Sequence, residues 1–354
     1  MKRISVLVFV GLFSVSCIRT GDTVSVPQYS ENAITSTSST ITMQDLVERG
    51  YRMSTVRLRT ADEVERLLIS DVTDVELADS CMFLLTADSK VMKFSLDGLF
   101  EGYVGTKGNG PGEYIYVNDI FLAPSGNGIC LNDVIKGIIT YGLDRTYEGT
   151  LERDTPGQII YSISDNQCII ESVQAVMGNE ADRLRIKDAG GSVIAHFSNY
   201  LQFHYTPKAT VTAYQEYKAL FRNGAGEIVY HQMSTDTVFT VRPELQALEP
   251  RCCFVLRNGV AQIDLSSFAD ISQEVSLVYD YAEDSSFRYV TLIEPGWTKR
   301  LYLIDKSNNF IYRSEVGVPG SETSFYPKWQ SRNKLMDYFL SENEVPYLIM
   351  LEKH

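Results

Sequence analysis

A glycine-rich stretch is the most distinctive candidate for chemistry in this sequence. Four glycines fall within the eight residues 105–112, which indicates positive φ angles or a close approach of the backbone to another group. A phosphate-binding loop would need a helix directly after it, and the following residues YVNDIFLA instead alternate as a strand does. We therefore expect a tight structural crossover between two strands, formed by Gly105, Gly108, Gly110, Pro111, Gly112, Glu113 and Tyr114.

Linear signatures of catalysis and metal binding are missing from the chain. Its four histidines do not form HExxH, and there is no G-x-S-x-G elbow or acidic calcium loop. The 45 carboxylates could still form a catalytic pair between distant segments, which no linear motif would reveal. We expect no catalytic residue, metal or cofactor on these grounds.

The N-terminus is typical of an export signal that ends in a lipid attachment site. Lys2 and Arg3 precede the apolar run Ile4–Val15, which is too short to span a bilayer, and small residues lead to Cys17. This pattern resembles a bacterial lipoprotein signal over residues 1–16. The resemblance implies cleavage before Cys17, acylation of that cysteine and a place in the cell envelope, anchored at the outer membrane. Residues 17–42 are rich in Ser and Thr and predict a flexible tether.

Charge and cysteine content narrow the function further. The net charge of −13 argues against a nucleic-acid partner. Five cysteines besides Cys17 cannot all pair within one chain, and several lie in apolar runs. We expect them to be buried free thiols.

An internal repeat of about 45 residues determines the predicted fold. Asp88 and Asp133 lie 45 residues apart, each between an apolar strand and a second alternating strand, and Asp305 ends a similar strand. Four short strands in each such unit are the signature of a propeller blade. We therefore predict an all-β, six-bladed β-propeller of four-stranded antiparallel blades over residues 43–354, with the strand near Val56 closing the ring.

The sequence FSLDGLFEGYVGTKGNGPGEYIYVNDI resembles six-bladed propeller lipoproteins of Bacteroides and their relatives, which carry G-x-x-G-x-G-P-G-E-Y. Asp236-Thr-Val-Phe239 and Leu303–Lys306 also fit that family, and ADSKVMKFSLDG is similar to an NHL-type repeat. The resemblance covers roughly residues 56–350. It implies the fold and export, and no particular activity.

In such a propeller the turns between the second and third strands and the crossovers between blades share one polar face. We expect a binding surface there, although each Asp could instead only bind the amides of its own turn. The candidate residues are Asp88, Lys90, Lys107, Asn109, Asp133, Lys136, Asp236 and Asp305. Trp297 and Trp329 are candidates for exposed rings that stack on a ligand.

Two classes of function remain open. The first is a binding or scaffolding protein whose partner is a glycan, a peptide or a protein of the cell envelope. The alternative is an extracellular hydrolase or lyase that acts on a polysaccharide or a peptide, because a fold does not determine an activity.

Overall fold

The computed structural model describes residues 26–62, 67, 69, 71–123, 125–152, 159–163, 168–173, 181–188, 191–199, 219–232, 235–256, 276–296 and 298–354. These residues form six blades around an axis, as predicted. Within this part of the chain, no helix is long and apolar enough to cross a membrane.

The chain enters the propeller through a segment that lies on its rim. This segment contains β1 (Gln28–Ser30), α1 (Glu31–Thr35), β2 (Thr40–Ile41), α2 (Met43–Glu48) and β3 (Tyr51–Arg57). Ser30 caps α1, and Thr42 and Asp45 form a capping box on α2.

The blades follow in chain order, and each is an antiparallel sheet whose strands a to d run from the axis to the rim. Blade 1 contains β4 (Val72–Leu77), β5 (Cys81–Thr86), β6 (Val91–Ser95) and β7 (Phe100–Tyr103). The crossover to the next blade holds β8 (Thr106–Lys107) and β9 (Glu113–Tyr114). Blade 2 contains β10 (Val117–Leu122), β11 (Gly128–Asp133), β12 (Gly137–Gly142) and β13 (Tyr147–Leu151). Blade 3 contains β14 (Ile159–Ile163), β15 (Cys168–Ser172), β16 (Asp182–Lys187) and β17 (Val193–Ser198).

The second half of the ring repeats this arrangement. Blade 4 contains β18 (Leu220–Arg222), β19 (Ile228–Tyr230), β20 (Thr237–Arg242), a 3-10 turn (Pro243–Leu245) and β21 (Ala247–Val255). Blade 5 contains β22 (Leu277–Glu283), β23 (Phe287–Glu294), β24 (Thr298–Asp305) and β25 (Ile311–Ser314). Blade 6 contains β26 (Trp329–Ser331), β27 (Lys334–Leu340) and β28 (Pro346–Lys353), and β3 is its outermost strand.

Ring closure joins the two ends of the chain in one sheet. β3 pairs with β28 from Tyr51 opposite Lys353 to Arg57 opposite Tyr347. The strand expected near Val56 therefore closes the ring as predicted.

The core is divided among the interfaces between blades. All six residues of β5 are buried. Successive side chains of a strand point to opposite faces of the sheet, and both faces of this sheet are covered by a neighbouring blade. Phe83 and Leu85 pack against blade 2, whereas Met82 and Leu84 pack against blade 6. Similar clusters fill the joints between the other neighbouring blades. Each inner strand is therefore buried on both faces, one against each neighbouring blade.

The prediction of a flexible tether over residues 17–42 is wrong for its second half. β1 is a fifth, parallel strand on blade 4 and β2 is a fifth, parallel strand on blade 5. Tyr29, Ile34 and Ile41 are buried against those blades. Three apolar side chains spaced along a polar stretch are enough to hold it on the rim, whereas residues 17–25 lie outside the described residues.

Candidate functional site

The glycine-rich crossover from blade 1 to blade 2 is a closed structural loop. β8 and β9 pair in parallel, and Gly108 N donates to Tyr114 O at 2.9 Å. Glu113 Oε2 accepts from Gly110 N at 2.7 Å. The carboxylate thus binds a backbone amide of its own loop, as a structural residue would.

Two side chains from blade 2 hold this crossover in place. Lys136 Nζ donates to the carbonyls of Gly108 at 2.9 Å, Gly110 at 3.1 Å and Glu113 at 2.7 Å. Asp133 is 1% exposed and accepts from four backbone amides, two in the crossover and two in its own turn. The ammonium and the carboxylate therefore satisfy backbone groups that no regular strand pairing would satisfy.

The glycines of this loop are required for two different reasons. Gly105 and Gly112 have φ angles of 65° and 70°, in the left-handed region that side chains rarely adopt. Gly108 and Gly110 lie outside that region, and a Cβ there would approach Glu113 Oε2 to 2.0 Å and 3.1 Å. The loop does not form a phosphate site, because its amides and carbonyls are hydrogen-bonded within the protein, to Glu113, Tyr114 and Lys136.

Most of the candidate binding residues lie on the predicted face, here called the b–c face because it carries the turns between strands b and c. Asp88 and Lys90 form an exposed ion pair at 2.7 Å, and Lys107 Nζ donates to Asp88 O at 2.6 Å. Asn109 is exposed beside them. Asp236 is half-buried and accepts from the Thr237 hydroxyl at 2.9 Å.

Asp305 is not equivalent to Asp88 and Asp133, so this prediction was wrong. It ends β24, the third strand of blade 5, and lies at the opposite face, where it pairs with Arg49 at 3.4 Å. The sequence comparison therefore matched Leu301–Gly317, which is a c–d hairpin, with two segments that are b–c hairpins. Hairpins within a blade share the same pattern of strand, Asp turn and strand, so sequence spacing alone does not identify which hairpin is present.

The two tryptophan candidates have different outcomes. Trp329 is buried, with 2% of its surface exposed, and its Nε1 donates to Thr73 O of blade 1 at 3.1 Å. It closes the joint between blades 6 and 1, so the expectation of an exposed ring was wrong. Trp297 and Cys17 lie outside the described residues.

A half-open cavity of about 370 Å³ lies on the b–c face between blade 5 and the crossover into blade 6. We call it the blade 5–6 cleft. Its walls are the start of β24, the end of β25 and residues 324–326. Cavities of several hundred Å³ are the usual size of small-ligand sites.

The charged side chains of the cleft are predominantly cationic. Lys299, Arg300 and Arg313 line it together with Glu315, in a protein whose net charge is −13. Arg313 pairs with Glu315 at 3.4 Å, and 43% of the Arg313 side chain is exposed. Arg300 pairs with Glu294, with Nε 3.0 Å from the carboxylate, and 41% of the Arg300 side chain is exposed.

Behind the cleft lies a buried carboxyl with an unusual titration. Asp280 is 7% exposed, and burial raises its pKa from 3.8 to about 6, against the attraction of Lys299 at 3.5 Å. Lys299 also lies over the rings of Tyr279 at 4.9 Å and Tyr326 at 4.8 Å. Lys328 and Asp337, paired at 2.9 Å, complete the charged groups around Asp280. A perturbed carboxyl next to a cavity is typical of functional sites.

The N-terminal segment is hydrogen-bonded to the strand that forms one wall of the cleft. Arg313 N donates to Ser39 O and Glu315 N donates to Ile41 O, both at 2.9 Å. Ile41 packs with Leu301 and Phe325 in one apolar cluster beneath the cavity. The segment that the sequence assigned to a tether therefore helps to position two charged residues of the site.

Residues 28–354 match the family DUF4934, which is described as a domain of unknown function. The chain belongs to this family. No curated protein matches it in sequence.

The fold of this DUF4934 protein is similar to solved structures. A candidate exported protein of Bacteroides fragilis has a TM-score of 0.69 at 14% identity, over 93% of this chain and 100% of that one. The extracellular domain of a candidate hybrid two-component system of B. thetaiotaomicron has a TM-score of 0.43 at 11% identity, over 86% and 34%. Virginiamycin B lyase from Staphylococcus aureus has 0.42 at 10%, over 86% and 100%. The first likeness shows the propeller fold alone, and the other two are too distant to carry an argument.

Sequence reasoning missed the cleft of this DUF4934 propeller, although one signal pointed toward Asp280. Asp74, Asp119 and Asp280 each interrupt an apolar first strand, and each lies at a β-bulge against the second strand. Asp74 accepts from Ile120 N of the next blade at 3.1 Å, so this position can bridge blades. A lone Asp inside a buried strand is costly and marks a special role. Nothing in the sequence placed Lys299 beside Asp280.

Proposed function

We propose that this protein is an exported, lipid-anchored binding protein of the bacterial cell envelope that holds its ligand in the blade 5–6 cleft. The cleft carries this proposal, because a half-open cavity lined by Lys299, Arg300 and Arg313 meets a buried carboxyl of raised pKa. The signal-like residues 1–16 and Cys17 support export and anchoring. The similarity to a candidate exported protein agrees with export.

The geometry favours binding over hydrolysis of a glycosidic bond. Asp280 lies behind Lys299 and is buried, so it does not reach a ligand in the cavity. Glu294 accepts from Tyr302 at 2.5 Å and lies against Arg300. Glu315 is then a single exposed carboxylate, whereas acid–base catalysis on a glycosidic bond uses two carboxyl groups across the bond.

Site-specific photo-crosslinking tests the binding function. A photoreactive residue at Ser314, on the cleft wall, should capture a ligand or partner in envelope extracts. The same residue at Asn308, which is exposed at the opposite c–d turn of blade 5, is the matched control. Equal capture at both positions, or none at Ser314, would refute the assignment of the cleft as the binding site.

The anchor is tested separately. Cys17→Ala should abolish incorporation of labelled palmitate and release the protein from the membrane fraction. Retention of the label in this variant would show that Cys17 is not the acylated residue, and it would leave the cleft proposal unaffected.

A further inference from the structure

Only a short stretch of chain separates the proposed lipid anchor from the first strand that is docked on the ring. Ten residues lead from Cys17 to Pro27, whose carbonyl accepts from Cys253 N on blade 4 at 3.0 Å. Even when fully extended, a chain of this length spans about 35 Å, whereas a tether over all of residues 17–42 would reach about 90 Å. The docking of β1 therefore holds one point of the rim within about 35 Å of the acylated cysteine.

The direction of β1 determines the side from which the chain reaches the rim. β1 runs parallel to β21, with Tyr29 opposite Phe254. Tyr29 packs with Val290 of blade 5, so this end of β21 lies toward blade 5. Leu248, near the start of β21, packs on the same apolar cluster as Phe197 of blade 3. The chain therefore enters β1 from the side of blade 3.

The length of this chain excludes an orientation in which the opposite rim faces the membrane. Blade 1 lies opposite blade 4 in a ring of six. Neighbouring strands are about 4.8 Å apart, so the strands between β1 and β7, together with the gap at the axis, occupy about 40 Å or more. With β7 on the membrane, β1 would lie beyond the reach of the chain from Cys17. The membrane therefore faces blades 3 and 4 or one of the two flat faces of the ring.

The side chains on the rim of blades 3 and 4 are mostly apolar or uncharged. The outer strand of blade 3, β17 (VIAHFS), contains no Asp, Glu, Lys or Arg, and Val193 and Ile194 are 49% and 38% exposed. At the c–d turn of blade 4, Leu245 is 65% exposed. The single acid of β21, Glu249, is paired with Arg242 at 2.9 Å. Exposed apolar side chains of this kind gain free energy at the boundary between lipid headgroups and acyl chains.

The two flat faces carry ionic groups at the corresponding positions. Asp88 and Lys90 form an exposed pair on the b–c face. On the opposite face, here called the a–b face because it carries the turns between strands a and b, Asp79 and Arg332 form another at 3.2 Å. Removing such groups from water costs free energy that a weak surface pair does not return. The rim of blades 3 and 4 is therefore better suited to a lipid surface than either face is.

We propose that the rim of blades 3 and 4 rests on the membrane that holds the lipid anchor, so that the ring stands on its edge and the short chain from Cys17 keeps it there. This inference rests on the proposed anchoring at Cys17 and adds the orientation of the propeller. Blade 1 then points away from the membrane. The blade 5–6 cleft, which lies on the b–c face, opens to the side, where a ligand reaches it without passing between the protein and the lipid.

Energy transfer from a fluorescent residue in the protein to an acceptor lipid tests this orientation. The lipidated full chain is placed in vesicles of phosphatidylethanolamine and phosphatidylglycerol, with the fluorescent residue at Leu245 or at Leu96. These leucines are a matched pair, because both are exposed in c–d turns, one on blade 4 and the other on blade 1. We expect severalfold greater transfer from Leu245. The same residue at Ile135 on the b–c face and at Asp79 on the a–b face should give equal, intermediate transfer.

A longer chain between the anchor and β1 tests the cause of the orientation. Insertion of about 20 Gly and Ser residues between Ser25 and Val26 raises the reach to about 100 Å and leaves β1 unchanged. Transfer from Leu245 should then fall toward that from Leu96. Unchanged transfer from Leu245 would overturn the short chain as the element that holds the rim in place.

The contrary results separate this inference from the anchor itself. Equal transfer from Leu245 and Leu96 in the membrane-bound protein would overturn the orientation and leave the anchor standing. Greater transfer from Ile135 or Asp79 than from Leu245 would show that a flat face lies on the membrane, and it would overturn the edge-on orientation as well. Retention of labelled palmitate by Cys17→Ala would instead remove the anchor on which the inference rests.

Discussion

Replacement of Asp280 by Asn measures how strongly burial opposes its charge. Because the pKa in the folded protein is raised from 3.8 to about 6, the folded state binds the proton more tightly than the unfolded chain. The stability contributed by this group is complete below the unfolded pKa and is lost as the pH rises through 6. Linkage gives a loss of about 1.3 kcal/mol in the free energy of unfolding between pH 5 and pH 7.

The Asn variant lacks this titration, so its stability relative to wild type should rise by about 1.3 kcal/mol between those two pH values. Urea unfolding at both values gives the difference, and other titrating groups cancel in the comparison. Asp305→Asn is the control. Burial raises the pKa of Asp305, but hydrogen bonds from Ser307 and pairing with Arg49 outweigh burial and lower that pKa from 3.8, so Asp305 does not titrate between pH 5 and pH 7. A relative stability of Asp280→Asn that does not change with pH would refute the reasoning. A larger cost at pH 7 than at pH 5 would show that the ion pair with Lys299 outweighs burial.

The remaining predictions concern separate parts of the ring. Burial lowers the pKa of His231 to about 4, so the wild-type protein loses stability as the pH falls below 6.5, the opposite sign to Asp280. The loss in the free energy of unfolding is about 3 kcal/mol at pH 4, and His231→Gln should remove this pH dependence in unfolding experiments. Lys136→Met should cost about 2 to 4 kcal/mol, because three carbonyls lose a charged donor, and a melting temperature equal to wild type would contradict this. Gly112→Val should cost about 1 to 3 kcal/mol through its positive φ, whereas Gly110→Val should cost less, and the reverse order in thermal melts would exclude strain as the cause. Ile34→Ala should cost about 2 to 5 kcal/mol because this rim residue is fully buried, while an unchanged unfolding midpoint would mean that the N-terminal segment is not part of the folding unit.

The fold could be predicted from sequence because a propeller repeats a local pattern. Strand alternation around Val91–Ser95 and the Asp turns recur at blade spacing, and local pairing of consecutive strands then builds each sheet. The same repetition limited the prediction, since Asp305 belongs to a different hairpin with the same local pattern. Lys334–Leu340 is strand β27 because its neighbours in blade 6 pair with it on both sides, a contact that its own sequence does not reveal.

The site could not be predicted because its parts meet only in three dimensions. Asp280 and Lys299 belong to different strands of blade 5, and Tyr326 comes from the crossover that follows. The backbone of Arg313 is fixed by Ser39, which is far away in sequence. A short polar stretch with three spaced apolar residues carried too weak a signal to be distinguished from a tether.

The path of the N-terminal segment determines how this protein would respond to a mechanical load. Cys253 N donates to Pro27 O on blade 4, Arg313 N and Glu315 N bind the segment on blade 5, and β3 completes blade 6. A force applied at the N-terminus therefore reaches these attachments in series. The force detaches β1 from blade 4 first, then β2 from the strand that forms the cleft wall, and β3 from blade 6 last. Tension would be felt at the cleft while the six-bladed ring is still closed.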